Sequence, residues 1–506
     1  MYVIGLDVGT TGCKAGLFDE NGRAYGRSYR EFNIICTGPG RAEQSPYICM
    51  EAVESVLKET VNQGIKNGVK KEEICALSTS VLGEEIMPVD REYRPLRNAI
   101  LGMDYRAEQE TEFLTGCLKK QEIYCKTGFV PHPMASLPTI MWIRRNEPEL
   151  TDKTHRYITF TEYIFRQLSE EIPSVDFPQA GRTMAFDIEK KEWSQEMFDA
   201  AGLKKEMFCK AVPTGTVVGE ISPKNADKIG LPLHVKLVAG GQDQTCAALG
   251  AGLINEQIGM DSHGTIEGIG VMSHKKLTNQ KALQGGLSCY CYTIPDKYFM
   301  MASSQVGGLL LKWFKNEFSL AEILEAQKSG RDVYDVMTSY VKQEPSKIMV
   351  LPHFIGSGPP WNDLKSRGAI VGLTLDSTRH DIVKAIMDSL TYEFRINVEY
   401  MESIGFSLKE LRVVGGASKS DFWMQLKADI MNRQVAVLEE RDAACLGAGM
   451  IAMYGMEVYK DLCEAVEVCV KVARQFEPVP ERALRYQSVY EKYTHLYESL
   501  KGFYRL

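Results

Sequence analysis

Residues 2–22 read Tyr2-Val-Ile-Gly-Leu-Asp7-Val-Gly9-Thr10-Thr11-Gly12-Cys-Lys14-Ala-Gly-Leu-Phe-Asp19-Glu-Asn-Gly22, and no other stretch restricts the possible folds as strongly. An apolar run too short for a helix delivers Asp7 to a Gly/Thr turn, and a second alternating run, Lys14 to Phe18, ends in an Asp-Glu-Asn-Gly turn. A glycine turn with free backbone N–H groups and two hydroxyls can wrap phosphate oxygens. Two familiar phosphate loops do not fit: Walker A needs Gly-Lys-Ser/Thr opening a helix, and the dinucleotide fingerprint needs a helix after its glycines. Here a strand follows. Taken alone the turn also suits an ordinary hairpin, so the rest of the chain has to decide.

A second glycine segment follows the strand-like Val235 to Val238: Ala239-Gly240-Gly241-Gln-Asp243-Gln244. Shortly afterwards Gly259-Met-Asp-Ser-His-Gly264-Thr265-Ile-Glu267-Gly268 repeats the opening pattern of strand, Gly-Thr hairpin and strand. Two such hairpins, each heading about half the chain, predict duplicated domains facing one another across a cleft. The chain of 506 residues is too long for one core, and the boundary falls near residues 245–258, giving domains 1–250 and 251–506. A further strand ends in Val413-Val414-Gly415-Gly416-Ala417-Ser418-Lys419-Ser420, where Ser420 caps a helix with Trp423, Leu426 and Ile430 on its apolar face. The small residues from Ala443 to Gly449 predict a helix packed closely behind that turn. Thr378-x-x-Asp381 opens a helix of about seven turns with Ile382, Ala385, Ile386, Leu390, Phe394, Val398 and Met401 as its stripe. A last helix is expected from Arg482 to Gly502, its Tyr486, Tyr490, Tyr493 and Tyr497 packing on the second domain.

A net charge of −7 supplies no basic field for nucleic acid or an anionic membrane, so neither partner is expected. The opening Met1-Tyr-Val-Ile reads as strand, with no charged n-region or cleavable apolar segment, so no leader is expected, and the longest uncharged stretch, Ala443 to Met456, is too short to span a bilayer. The thirteen cysteines are scattered, and Cys289-x-Cys291 lacks a second ligand pair at zinc spacing. They read as reduced thiols in a reducing, cytoplasmic setting.

Strand, glycine hairpin and strand with an early aspartate resembles the first phosphate hairpin of the actin-like ATPase fold. The ordered segments widen the match: Gly5-Leu-Asp7-Val-Gly9-Thr10-Thr11, Ala42-Glu43-Gln44-Ser45-Pro46, Asp104-Tyr-Arg106 and Asp176-Phe-Pro-Gln-Ala-Gly-Arg182-Thr183. They continue through Gly240-Gly241-Gln-Asp243-Gln244, Gly264-Thr265, Gly356-Ser-Gly-Pro-Pro-Trp-Asn362-Asp363, Arg367-Gly368, Gly415-Gly416 and Leu446-Gly447-Ala448. Over nearly its whole length the chain resembles the FGGY carbohydrate kinases, the family of glycerol kinase, xylulokinase and gluconate kinase. The resemblance implies an α/β fold of two ribonuclease-H-like domains with the active site between them, ATP and Mg2+ as cofactors, and a small sugar or polyol as substrate. Many relatives are dimers; a homodimer is compatible with the sequence, but no residue decides it.

Carried over position by position, the resemblance makes Thr10, Thr11 and Lys14 the β/γ-phosphate clamp, Asp7 the magnesium-holding residue, Asp243 the catalytic base and Thr265, with Gly264, the contact to the transferring phosphoryl group. It places Gly415, Gly416 and Ser420 at adenine and ribose. Glu84 falls on the glutamate that holds substrate hydroxyls in glycerol kinases, but Gly83 replaces the neighbouring arginine, which leaves room for a longer acceptor. Gln244 and Asp243 face the same acceptor; Asp104, in the family's Asp-x-Arg, organises the pocket rim or contacts the sugar. Alone, Asp7 or Asp243 also reads as a turn cap and Glu84 as a solvated strand end.

Departures bear on the substrate. Met134-Ala135 replaces residues that xylulokinases and glycerol kinases use, and Glu267 follows the second hairpin, where it would repel phosphates unless it faces away or meets a cation. A ketopentose such as xylulose is the expected acceptor, with a polyol, sugar acid or deoxyketose as the alternative. A non-catalytic sugar sensor or a structural actin-like ATPase is the remaining class, and Gly240-Gly241-Gln-Asp243-Gln244 with Glu84 speaks against it.

Overall fold

The opening strands pair as their alternation requires. In the computed structural model, which describes residues 1–505, β1 (Tyr2–Val8) turns back on β2 (Gly12–Asp19), and β3 (Ala24–Glu31) extends the antiparallel ladder. On its other side β1 runs parallel to β4 (Ile74–Val81), with β5 (Val217–Glu220) and β6 (Lys236–Gln242) completing the order β5-β6-β4-β1-β2-β3. Helix α1 (Pro46–Lys66), capped by the Ser45 hydroxyl and opened by Pro46, covers β2 and β3.

The second half repeats this plan. β7 (Ile258–His263), β8 (Glu267–Ser273), β9 (Cys289–Cys291), β10 (Tyr298–Ser304), β11 (Glu410–Val414), β12 (Gln434–Leu438) and β13 (Val472–Phe476) form one sheet in the order β9-β10-β8-β7-β11-β12-β13. In both sheets a hairpin is followed outward by a third antiparallel strand, while two strands parallel to the first lie on its other side. Parallel strands buried on both faces need continuous apolar runs, and Val3, Ile4, Leu6, Leu77, Leu237 and Val238 are fully buried.

Helix α2 (Asp243–Gly250) leaves β6, and α3 (Arg379–Ser403), α4 (Asp421–Met431), α5 (Ala443–Gly455) and α6 (Pro480–Tyr493) belong to the second half. Thr378 and Asp381 form the expected capping box of α3; Ala385, Ile386, Leu390, Phe394, Val398 and Met401 are buried, whereas Ile382 is only half-buried.

Two expectations are corrected. The small-residue helix α5 packs not behind the Gly415 turn but on β1, β4 and α2, so it joins the halves. A Cβ at Gly447 would lie 2.0 Å from the Cys246 carbonyl oxygen, which is why that face must be bare. The expected helix from Arg482 to Gly502 breaks after Tyr493 and resumes over Leu496–Leu500. Tyr490 and Tyr493 donate to Glu399 (2.6 Å) and Glu393 (3.1 Å) on α3, whereas Tyr497 donates to Asp363 (2.8 Å) in a separate loop, so one straight helix cannot serve both partners. All four tyrosines are buried against the second half. Cys289 and Cys291 are buried on β9, every cysteine is a free thiol, and no helix among the described residues is long and apolar enough to cross a membrane.

Candidate active site in the cleft

The functional side chains gather at the carboxyl ends of parallel strands, where open α/β sheets present their loops to ligands. Register sets Asp7 of β1 beside Ser80 of β4, and Ser80 beside Gly241 of β6, so Asp243 follows two residues after the same row. The Ser80 hydroxyl donates to Asp7 Oδ1 (2.7 Å). Burial pushes the Asp7 carboxyl up, with the Ser80 hydrogen bond and the Lys14 charge opposing it. Asp243 opens α2 and accepts from the backbone N–H of Gln244 (2.6 Å) and from the Gln242 amide. Burial first, and then the charge of Asp7, push its pKa up to about 7, against the pull of the Gln244 N–H and Arg182. A carboxyl so placed changes its proton occupancy near neutrality, as a general base requires.

Glu84 has a left-handed backbone (φ 70°) that turns its carboxylate inward to pair with Arg182. Arg182 ends a short helix, Phe177–Gly181, capped by Asp176 and tied to the Glu84 loop by Gln179 Nε2 donating to the Leu82 carbonyl (2.6 Å). The guanidinium stacks over Tyr290 (4.1 Å) and Phe129 (4.8 Å), while its Nε and Nη1 are buried with no hydrogen-bond partner among the described residues. The Gln244 side-chain oxygen is likewise buried and unpartnered. These are groups awaiting a polar ligand. The expectation that Gly83 leaves room for a longer acceptor is corrected, because a Cβ there would lie 3.2 Å from both Arg182 Cγ and Gln242 Cγ. Arg182, 98 positions from Glu84 in the sequence, supplies the cation that position 83 lacks. The Asp176–Thr183 motif contains Arg182, but no local signal ties it to Glu84.

Asp104 is corrected as a sugar contact. Its oxygens accept from the backbone N–H groups of Ala42 (2.7 Å) and Arg106 (2.9 Å) and from the Arg106 guanidinium, leaving it 1% exposed as a scaffold for the rim. Glu85, next to Glu84, is fully buried and accepts from the Phe160 N–H (2.9 Å).

Just beyond Asp7, Thr10 and Thr11 occupy the first hairpin, closed by the Gly9 N–H donating to the Gly12 carbonyl (2.9 Å). Lys14 beside it meets Asp442 at the start of α5 (2.9 Å), so service in a phosphate clamp requires it to exchange that carboxylate for a phosphate. Gly264 and Thr265 form the exposed second hairpin. Gly415, at φ 96°, presses so close to that hairpin that a Cβ would come within 2.4 Å of the His263 carbonyl oxygen; only glycine fits. Ser420 caps α4 by accepting from the Trp423 N–H (3.3 Å). Between these loops lies a cavity of about 420 Å³, walled by His263, Gly264, Tyr334, Gly416, Ser420 and Trp423. Glu267 faces away from the hairpin tip and meets the Lys427 ammonium, with the His263 imidazole beside it.

A cleft between duplicated sheets, with glycine hairpins on both walls and a carboxylate at its floor, defines the actin-like class of phosphoryl-transfer proteins. The chain belongs to the FGGY family of carbohydrate kinases: residues 2–250 match its N-terminal domain and residues 259–456 its C-terminal domain. It is therefore an ATP-dependent sugar phosphotransferase. It is 27% identical to the xylulose kinase of Bacillus subtilis over 500 residues, 99% of this chain and 97% of that protein. It is 27% identical to the gluconokinase of the same organism over 509 residues, again 99% and 97%. Among solved structures, the ligand-bound xylulose kinase from Lactobacillus acidophilus superposes with a TM-score of 0.88 over 99% of both chains at 23% identity. Kinases of this family use ATP and typically a divalent metal.

Proposed function

We propose that the chain phosphorylates a hydroxyl of a neutral ketopentose such as xylulose, with residues 1–250 carrying the acceptor site and 251–506 the adenosine site. The observation that carries this reading is the Glu84–Arg182 pair beside Asp243, with Arg182 Nε and Nη1 unpartnered. Glu84 accepts from hydroxyls, and the spare guanidinium N–H groups suit an oxygen that can only accept, such as a keto oxygen. The Arg182 charge is already engaged by Glu84, which disfavours a substrate carboxylate. A polyol is the second reading, favoured by the arginine and glutamate standing together as they do in glycerol kinases.

In this reading Asp243 accepts the proton of the attacking hydroxyl as the new P–O bond forms. Thr10, Thr11, Gly264 and Thr265, with Lys14 once released from Asp442, hold the phosphates, and Gly415, Gly416 and Ser420 approach adenosine. Asp7 suits a hard divalent ion such as Mg2+, since its carboxylate is buried with one oxygen already oriented by Ser80. Bound there, the ion would offset the phosphate charge. ATP consumption measured across ketoses, their reduced polyols and aldonates tests the assignment; a ketopentose should exceed its polyol at least tenfold in kcat/KM, and equal values would overturn it.

Two further results follow. Loss of the Glu84 charge-assisted hydrogen bond should raise the sugar KM about tenfold to a hundredfold in Glu84→Ala and less in Glu84→Gln, with ATP KM nearly constant. With a folded pKa of about 7, Asp243 is a carboxylate above neutrality and protonated below it. kcat/KM should therefore fall about tenfold per pH unit below pH 7 and level off above it, an acid limb that Asp243→Asn should abolish in the residual rate.

A further inference from the structure

Helix α2 is capped by Gln242, a residue type that caps seldom use. The short side chains of Ser, Thr, Asp and Asn lead at such positions. A serine would satisfy the free N–H groups and leave nothing over, whereas glutamine satisfies them and keeps an NH2 for another acceptor. Gln242 ends β6 beside Val81 of β4 and is 5% exposed. Its Oε1 accepts from the backbone N–H groups of Gln244 (3.1 Å) and Thr245 (3.3 Å). Those groups can only donate, so they settle which end of the amide faces them. The NH2 is thereby turned to the neighbouring carboxylate, where it donates to Asp243 Oδ1. The same Oδ1 accepts from the Gln244 N–H (2.6 Å), while Oδ2 makes no hydrogen bond among the described residues and Asp243 is only half-buried.

We infer that Gln242 is a positioning residue for phosphoryl transfer: with the Gln244 N–H it holds Oδ1, fixes the plane of the Asp243 carboxylate and presents Oδ2 to the acceptor hydroxyl. This rests on the reading of Asp243 as the base. One donor alone would let the carboxylate swing about its Cβ–Cγ bond, and misalignment of the reacting atoms is costly in rate. The amide also favours the charged form of Asp243, so its loss raises the pKa of that carboxyl.

The test compares wild type with Gln242→Ser and Gln242→Glu by melting temperature and by single-turnover rate across pH, using Mg-ATP and the best acceptor among the ketoses, polyols and aldonates. Serine is a favoured cap whose hydroxyl stops well short of the glutamine NH2, and glutamate keeps the accepting oxygen, with a charge that suits a helix start, but cannot donate. The other titratable groups whose charges reach Asp243, namely Asp7, Glu85, Arg182, Cys246 and Tyr290, are the same in all variants. Both variants should melt within about 2 °C of wild type. On the plateau above the acid limb the rate should fall about 5- to 30-fold in Gln242→Ser and further in Gln242→Glu, with both KM values within about twofold. The limb itself should move to higher pH in both, more in Gln242→Glu. Added to Asp243→Asn, Gln242→Ser should lower the residual rate by less than about twofold. A wild-type rate in Gln242→Ser would overturn the inference. So would a loss of rate that accompanies a marked loss of stability, which would assign Gln242 to the start of α2 alone, or a loss that appears only in the sugar KM. Near wild-type turnover in Asp243→Asn would instead sink the assignment of the base, whereas an inactive Asp243→Asn beside a fully active Gln242→Ser sinks only the role of Gln242.

Discussion

Asp243→Asn is expected to lower turnover about a hundredfold to ten-thousandfold while nucleotide affinity stays within about twofold of wild type. The amide nearly matches the carboxylate in shape and can still accept from the Gln244 N–H, so the start of α2 keeps its geometry. What it loses is the capacity to take the acceptor proton. The environment built around Asp243 gives the loss its size, since burial and the Asp7 charge together raise its pKa to about 7 and so match its basicity to a neutral medium. Single-turnover rates with a ketopentose, alongside ADP titrations, check the result. Near wild-type turnover in a folded variant would remove Asp243 from the role of base.

The second large effect is on stability. Lys427→Met is expected to destabilise the protein by about 3–5 kcal/mol, because it leaves the buried Asp261 and Glu267 carboxylates facing one another without their cation. For a unit of this size that corresponds to a fall of roughly 10 °C in melting temperature. Methionine matches the volume of lysine and keeps the contact with Phe394, so lost packing does not account for the change. The triple variant Asp261→Asn, Glu267→Gln, Lys427→Met should recover most of the loss, since removing all the buried charges removes the penalty. Calorimetric melting of both variants is the measurement; a fully stable Lys427→Met protein would show that the carboxylates take up protons or water at little cost.

The fold was largely legible because its signals are local. Alternating strands, glycine turns, the Thr378–Asp381 capping box and the Ser420 cap each lie within a few residues, and the hairpin's recurrence at Gly264-Thr265 exposed the duplication. Asp7, Asp243, Gly415 and the two hairpins were readable for the same reason: each sits at the carboxyl end of a strand that can be picked out by pattern alone.

Side-chain partnerships across the chain were not legible. Gly83 signalled a missing cation, but nothing near it announced that Arg182 would fill the gap, and the Asp-x-Arg motif gave no sign of the Ala42 N–H, 62 positions away, that ties up Asp104. Glu267 looked misplaced beside phosphates because its partner Lys427 lies 160 positions away on a helix whose apolar stripe drew attention instead. The bare face of α5 pointed to close packing without saying against what. By itself, then, the sequence determined the elements, their duplication and the loops that carry the chemistry, since propensity, alternation and capping act between near neighbours. Only the tertiary structure decided which buried charges neutralise one another and which remain free for a ligand, because burial and the proximity of groups remote in the chain arise only once the sheets and helices have packed.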